Sequence, residues 1–494
     1  MTEQDKGAEP AEEALTYKAA GVDVAANNEA NVLIAEHVRA THNDRVLTKA
    51  GLFGGGLSIN DLRDLEKPTL VGALGYSRTT HQSEANLADF VFDEAEVEIP
   101  LVTKLIAFLD YAAAAKLSPV QMERVVAGFK ERCIDSRVPM MGGETAEMPD
   151  VFVETESFVP LEVVASLYGI GSAYRLKEET RPMVDLSPIF DNYLDPVLVL
   201  SNDGVGTKTM LGVEARRMKD LVQDIVHHSL NDIACQGARG IAFMPYVGCH
   251  EADPELIAQL KEGIAECAKE NGLAVLDSKV GMENPRLYKP GQYDICASIV
   301  GVVDAANVVQ GTAVKEGDIV ISLPSNGIHT NGYSLVRKVR ERAGWTLGQH
   351  FDELGCTFGE AVLRPHTSYA GVVNDIMSHP GVHGVAHITG GGIPDNLIRV
   401  LPEGLGANIH KSLFPTPPIF RLIQEYGNVP EHDPENGGMY ETFNMGMGMA
   451  VIADMSSHLR VCDMIRKSGV EAYVVGEVTR NTATEAYQRV RFQE

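Results

Sequence analysis

One stretch of this chain occurs twice. "IAFLDYAAAAKLSPVQMERVVAGFKERC", from Ile106, aligns without a gap on "IAFMPYVGCHEADPELIAQLKEGIAEC", from Ile241, with Ile106 over Ile241, Pro119 over Pro254 and Gly128 over Gly263, a constant offset of 135 residues. An ungapped register of that length restricts the chain to folds that hold two copies of one supersecondary unit. Upstream, "PTLVGALGYSRTT" from Pro68 lies over "PVLVLSNDGVGTK" from Pro196, and downstream "ASLYGIG" from Ala165 lies over "ASIVGVV" from Ala297. Each copy reads as strand, turn, helix and strand: an apolar run, a helical stretch with a period near 3.6 such as Met122 to Cys133, then another apolar run.

The repeat divides the chain into a leading segment (1–50), copy one (51–175), a polar connector (176–194), copy two (195–305) and a last domain (306–494). The last domain is no third copy. In "EGDIVISLPSNGIHTNGYSLVRKV" and "HITGGGIPDNLIRVL" short strands, glycine-rich turns and helices alternate, an α+β pattern. The expected fold is therefore α/β and α+β. With 494 residues, 44% of them hydrophobic, the chain can bury more than one core. Its 42 Lys+Arg stand against 68 Asp+Glu, a net charge of −26, which argues against non-specific binding to nucleic acid or anionic membranes. A phosphorylated substrate would need backbone N–H groups, metal ions or a few basic side chains to offset that field. Seven cysteines are scattered with no C-x-x-C, so neither a zinc site nor a disulfide framework is indicated. Together with an N-terminus lacking an apolar targeting run and the absence of a spanning segment, this predicts a cytoplasmic protein.

Several stretches carry candidate chemistry. In "SNDGVGTK" a strand runs into Asp203, Gly204, Gly206, Thr207 and Lys208. The glycines let backbone approach phosphate, Asp203 is a candidate Mg²⁺ ligand and Lys208 a point charge for phosphate oxygens; a bare turn fits the same residues. "DIVHHSLNDIACQGARG" places Asn231 and Asp232 in an amphipathic helix as oxygen ligands for Mg²⁺, while His227 and His228 read as surface or core histidines. "GGETAEMP" offers Glu144 and Glu147 behind Gly142 and Gly143, suited to a metal or a reacting amide, or equally to a capped helix start. In the last domain Ser325, Asn326, His329, Asn331 and Ser334 precede an amphipathic helix, and Thr389, Gly390, Gly391 and Gly392 repeat the device, as phosphate cradles. His329 and His387 are candidate proton shuttles by residue type.

These stretches resemble the phosphoribosylformylglycinamidine cyclo-ligase family, the aminoimidazole ribonucleotide synthetases. The last domain carries the resemblance through "SLPSNGIHTNGYSLVRK", "AHITGGGIPDNLIRVLP", "PTPPIFRLIQEYGNVPEH" and "MYETFNMGMGMAV"; "YKAAGVDV", "FGG", "NDGVGTK", "LNDIACQGA" and "GGETAEMPDVF" resemble the family's first domain. The resemblance implies a first domain that pairs with its twin to close a β-barrel, followed by an α+β domain. It also implies ATP and Mg²⁺ as cofactors, a phosphorylated ribonucleotide as substrate, and ring closure through phosphorylation of an amide oxygen. It adds Lys18, Gly54 and Gly55 to the candidate site.

The chain departs from the family in one large respect. Copy one has "LGYSRTT" at the place of "DGVGTK", and the repeat register lays "MGGETAEMPD" over "LDSKVGMENP" in copy two. Each copy lacks what the other keeps. We therefore expect the two copies to pair within one chain, as a pseudo-dimer, with Glu144 and Glu147 from copy one and Asp203, Lys208, Asn231 and Asp232 from copy two forming one composite site. A homodimer of chains is the alternative assembly. A catalytically inactive nucleotide- or precursor-binding regulator, or another ATP-using relative, is the alternative function. Smaller departures are "PENGG", Pro434 to Gly438, and His366 in "RPHTSY".

Overall fold

The computed structural model describes residues 14–77, 84–100, 103–154, 160–173 and 182–494. Arg78 to Thr80 of "LGYSRTT" and the first part of the connector lie outside the described residues. The first sheet is built from β2 (Pro68–Tyr76), β3 (Lys104–Ala114), β4 (Met140–Glu147), β5 (Leu161–Ser172) and β6 (Val184–Asp185), in the order β4-β3-β5-β2-β6. The second contains β1 (Gly55–Ser58), β7 (Pro196–Gly204), β8 (Arg239–Cys249), β9 (Ala274–Val275), β10 (Lys279–Glu283) and β11 (Tyr293–Asp304), ordered β1-β7-β11-β8-β10 with β9 on β8.

The two sheets match strand for strand. In the first, β5 runs antiparallel to β2 and β3 while β4 is parallel to β3; in the second, β11 runs antiparallel to β7 and β8 while β10 is parallel to β8. Helices lie in matching places. α1 (Val24–Ala40) belongs to the leading segment, α2 (Glu84–Glu98) and α3 (Pro119–Ser136) follow β2 and β3, and a short α4 (Ser187–Asn192) closes the connector. In the second half α5 (Lys208–Glu214) and α6 (Met218–Ala234) follow β7, and α7 (Pro254–Asn271) follows β8. α3 and α7, which follow β3 and β8, both open on a proline in the first turn, where its missing N–H costs nothing. They bury apolar positions at helical spacing, Met122, Val125, Val126 and Phe129 in one and Leu256, Leu260 and Ile264 in the other.

The inner faces of the two sheets form one core, in which Leu70, Leu109 and Tyr168 meet Leu198, Met244 and Val300. Polar groups across it are exchanged reciprocally. Tyr111 donates to Asp294 Oδ2 at 3.0 Å, and Tyr246 donates to Glu162 Oε1 at 2.7 Å. Tyr111 and Tyr246 are equivalent residues of the repeat, and Glu162 and Asp294 occupy equivalent positions of β5 and β11. This is the self-complementary pattern of a two-fold interface, here inside one chain. Burial pushes Glu162 from its ordinary 4.5 up to about 8, despite hydroxyls from Tyr288 and Tyr246 that favour the ionised form. Its folded pKa lies above its unfolded one, so the stability this group contributes is complete below about pH 4.5. It is lost as pH rises toward 8, by about 1.4 kcal/mol per pH unit. Glu162→Gln should remove that slope. Urea midpoints of the variant and the native chain at pH 5 and pH 8 check this, and parallel pH profiles would refute it.

The C-terminal domain holds a sheet of β12 (Ile319–Pro324), β15 (Val382–His387), β16 (Leu405–His410), β17 (Met447–Ala453), β18 (Tyr473–Arg480) and β19 (Val490–Gln493), ordered β15-β17-β12-β18-β16-β19, with a small hairpin of β13 (His350–Phe351) and β14 (Cys356–Thr357). The leading segment straps onto this domain. Leu15 N–H donates to Gly427 O, Tyr17 N–H to Gly437 O and Lys18 N–H to Asn436 O. The family-atypical "PENGG" therefore supplies two of the three acceptors. Asp23 at the head of α1 then returns the strap to the first sheet, where its N–H meets Glu147.

Candidate active site

The carboxylates cluster where the two sheets meet the C-terminal domain. Strand β4 carries Glu144, directly opposite Tyr111 in the parallel β3–β4 ladder, so the "GGETAE" stretch is strand rather than the start of a helix. Asp203 stands near the end of β7, and Asp232 lies in the last turn of α6. Solvent loss and the charge of Asp203 push the Glu144 carboxyl well up, and Asp232 also acts on it. Burial raises Asp232 to about 6 although His228 and Arg399 pull the other way. Neighbouring carboxylates of this kind attract a cation, which would return Glu144 and Asp232 to the ionised form.

Four histidines line the side facing the C-terminal domain. His228, one helical turn before Asp232, has Nε2 2.8 Å from Asp203 and 3.6 Å from Asp232. Burial alone would lower its pKa, but the two aspartates raise it to about 9, so the imidazole is cationic. His387, at the end of β15, holds Asp232 Oδ1 at 2.8 Å through Nδ1 and His366 Nε2 at 2.9 Å through Nε2. His329 stacks on His366 with ring centroids 3.9 Å apart. Burial and the neighbouring positive groups hold His329 and His366 well below the usual imidazole range; His387 is lowered too, by burial and by His228. His329 has φ +67°, and both of its buried ring nitrogens lack hydrogen-bond partners. A left-handed non-glycine residue with unsatisfied nitrogens is a place where a fold stores strain for a task.

The structure gives several candidates other work. Asn231 spends its amide on the C-terminal domain, donating to Thr367 O at 2.8 Å and accepting from Tyr369 N–H at 2.6 Å, so it clamps the two domains together. Lys208 is fully buried, with Nζ bonded to Asp224, His329 O and Arg364 O; its three donors are used, and none is left to meet a phosphate. Glu147 accepts the N–H groups of Asp23 and Leu117. Lys18 pairs with Asp23, whose N–H meets Glu147. Ser325 donates to Asn444 and Asn326 to Pro365 O, both shaping the loop they stand in.

Several of the glycine-rich loops touch one another across the domain boundary. Gly206 is left-handed at φ +68°, and a Cβ there would meet nothing nearer than Thr330 O at 3.9 Å, which leaves backbone open to a ligand. Next to it the Thr207 hydroxyl is 3.1 Å from Ser334 of the C-terminal domain. Gly204 packs on Tyr111. Asn331 reaches Gly390, so the two polar loops touch, while Thr389 donates to Asn396, whose amide in turn binds Gly390 O and Gly392 O. Gly391 and Gly392 are left-handed. Gly54 O accepts from Gln236, Gly55 pairs with Leu200, Gly142 is open on its Cβ side, and Gly143 lies against buried Asp110.

Sequence reasoning reads His228 as a surface or core histidine and does not single out Arg399. His228 sits four residues before Asp232, one turn along the same helix face, a spacing that could have been weighed. Arg399 lies over the Phe53 ring, 4.9 Å from its centroid, and its charge acts on Glu144, Asp232 and Asp395. Nothing local in "NLIRVLP" marks it.

Fold and site together define a two-domain enzyme of the AIR synthase related kind. The family described as "AIR synthase related protein, N-terminal domain" matches residues 103–164 and 192–303, and "AIR synthase related protein, C-terminal domain" matches residues 315–488. Curated relatives named phosphoribosylformylglycinamidine cyclo-ligase come from Alkaliphilus metalliredigens (37% identical over 288 residues, 58% of this chain and 81% of the relative), Geobacillus sp. (38%, 64% and 87%) and Brevibacillus brevis (35%, 71% and 96%). The chain belongs to the phosphoribosylformylglycinamidine cyclo-ligase family. Among solved structures, thiamine-monophosphate kinase from Stenotrophomonas maltophilia aligns with a TM-score of 0.45 at 13% identity, covering 65% of this chain and 94% of that one.

Proposed function

We propose that this chain is an ATP-dependent cyclo-ligase that closes the ring of formylglycinamidine ribonucleotide to give aminoimidazole ribonucleotide, ADP and phosphate, and that it does so at one composite site. The observation that carries this reading is the meeting of Glu144 from the first sheet with Asp203 and Asp232 from the second, facing Arg399 and the histidines of the C-terminal domain. The charges of Asp203 and Asp232 both act on Glu144, and these oxygen donors would suit a hard dication such as Mg²⁺. Bound there, Mg²⁺ would offset phosphate charge during transfer from ATP.

The chain's own residues supply the rest. Open backbone at Gly206 and the touching loops around Asn331 and Gly390 suit phosphate groups, and Arg399 offers a planar cation at the rim. His329, with both buried ring nitrogens unpartnered, is the candidate to receive the proton released when the ring nitrogen attacks, with His387 linked to Asp232 and His366 beside it. Free thiols throughout the chain suit a reducing compartment, and the reading places the enzyme in the cytoplasm. Among the described residues no helix is long and apolar enough to cross a membrane.

The pseudo-dimer reading has its own support in the matching strand orders and the reciprocal Tyr–carboxylate bonds. In the ladder β10–β8, Lys279 stands opposite Tyr246 as Glu144 stands opposite Tyr111. Lys279 Nζ lies 3.5 Å from Glu98 and 3.7 Å from Asp277, so the second position carries an internal ion pair where the first carries an acidic wall. One nucleotide per chain is the expected stoichiometry, measured by calorimetry with a non-hydrolysable ATP analogue. Two equivalents of equal affinity would contradict the composite site. The activity itself is tested by substrate-dependent ADP release with Mg²⁺. Nucleotide binding without turnover in the folded chain would instead support the regulator.

A further inference from the structure

Three side chains meet at the far end of the C-terminal sheet. Asp318 immediately precedes β12, His383 is the second residue of β15, and Asp454 immediately follows β17. These strands are neighbours in the order β15-β17-β12, and Ile319 and Val382 both pair with Ala453. The three residues therefore project from adjacent backbone positions on a paired, rigid frame. His387 of the cleft is four residues farther along β15, about 13 Å away at strand rise, so this group is separate from the carboxylate site.

The nitrogen and oxygen atoms of the three side chains all come within 4.8 Å of one another. His383 Nδ1 is already 2.7 Å from Asp318 Oδ2. Asp318 is fully buried, and its other oxygen, Oδ1, has no hydrogen-bond partner. A buried carboxylate oxygen without a donor is costly, and a fold that keeps one needs a compensating ligand. The cation nearest the group is Lys315, whose Nζ lies 2.6 Å from Asp454 Oδ2 and whose side chain is mostly exposed. It serves Asp454 from the solvent side, while Oδ1 of Asp318 stays unmatched.

We propose that Asp318, His383 and Asp454 form a binding site for a divalent transition cation of the zinc type, with Lys315 as a competing charge that leaves when the ion enters. One imidazole and two carboxylates match that class, whereas Mg²⁺ favours an all-oxygen set. Ligands at zinc distances lie about 3.3 Å apart in a tetrahedron, so the group closes with small side-chain rotations, and water completes the coordination. A cation there would tie β12, β15 and β17 together at their free ends.

The test uses the full chain carrying His387→Asn, which removes an imidazole of the cleft and so limits zinc uptake there. Equilibrium dialysis with zinc, followed by metal analysis and thermal melting, should give one tight equivalent per chain and a raised Tm. His383→Asn or Asp454→Asn in that background should weaken zinc binding by about tenfold or more. Lys315→Gln should tighten it several-fold, a gain that a purely structural ion pair would not produce. Asp454, partly exposed, serves as the variant if His383→Asn fails to fold. Unchanged zinc affinity in Asp454→Asn, or no tightening in Lys315→Gln, overturns the proposal.

Discussion

Asp203→Asn lowers ring closure by about a hundredfold or more, the scale on which removing a charge-stabilising group acts on the transition state, while Asp277→Asn leaves turnover near the native level. Asp203 stands in the cleft within 2.8 Å of cationic His228 and acts electrostatically on Glu144. The amide keeps the shape and removes the charge that would hold the metal and the phosphates. Asp277 accepts the Leu74 N–H at 3.0 Å and pairs with Lys279, in the half of the seam where Lys279 takes the place of a carboxylate. Its loss trims one hydrogen bond and one ion pair, about 1 kcal/mol of stability. Steady-state ADP release by both variants, with urea melts to confirm folding, decides the matter. Equal losses of turnover would show that both halves of the pseudo-symmetric seam are needed, and would defeat the single composite site.

Lys208→Met destabilises the protein by about 3–5 kcal/mol, because it leaves Asp224 buried and unpaired. Both side chains of the pair are wholly shielded from water. The lysine also ends on His329 O and Arg364 O, so it fastens α5 to the loops of the C-terminal domain. Asp224 has a second partner, the His366 N–H at 2.7 Å, and burial raises its pKa to about 6 despite the lysine. Replacing both residues, as Lys208→Met with Asp224→Leu, should recover a large part of the loss, since an apolar pair of similar volume avoids the desolvation of two charges. Chemical denaturation of the single and double variants checks this. A single variant within about 1 kcal/mol of the native chain would mean that water reaches the pair.

Much of this architecture is readable from residue order. The 135-residue offset foretells two units of like topology, because strand and helix follow from local periodicity, and equal periodicity produces equal elements. The "DGVGTK" and "GGETAEMP" stretches single out Asp203 and Glu144, and the charge of Asp203 acts on Glu144 in the fold. The pairing of Lys208 is not legible locally: a lysine next to glycines has the same signature whether its ammonium faces a phosphate or, as here, a buried aspartate sixteen residues on. Asn231 and Asp232 are chain neighbours with opposite fates, because successive helix positions point about 100° apart. One turns to Thr367 and Tyr369, the other to His387.

The sequence alone determined the mixed α/β class, the family, and the acidic and glycine-rich stretches from which a site can be made. These are properties of local spacing, and spacing survives without knowledge of distant partners. Only the tertiary structure decided which charges meet. His228 becomes a cation because Asp203 and Asp232 surround it, Arg399 joins the cleft by lying over Phe53, and Lys208 becomes an internal bolt because Asp224 and two carbonyls enclose it. Charge and protonation depend on distance and solvent exposure, and both are set by contacts between residues far apart in the chain.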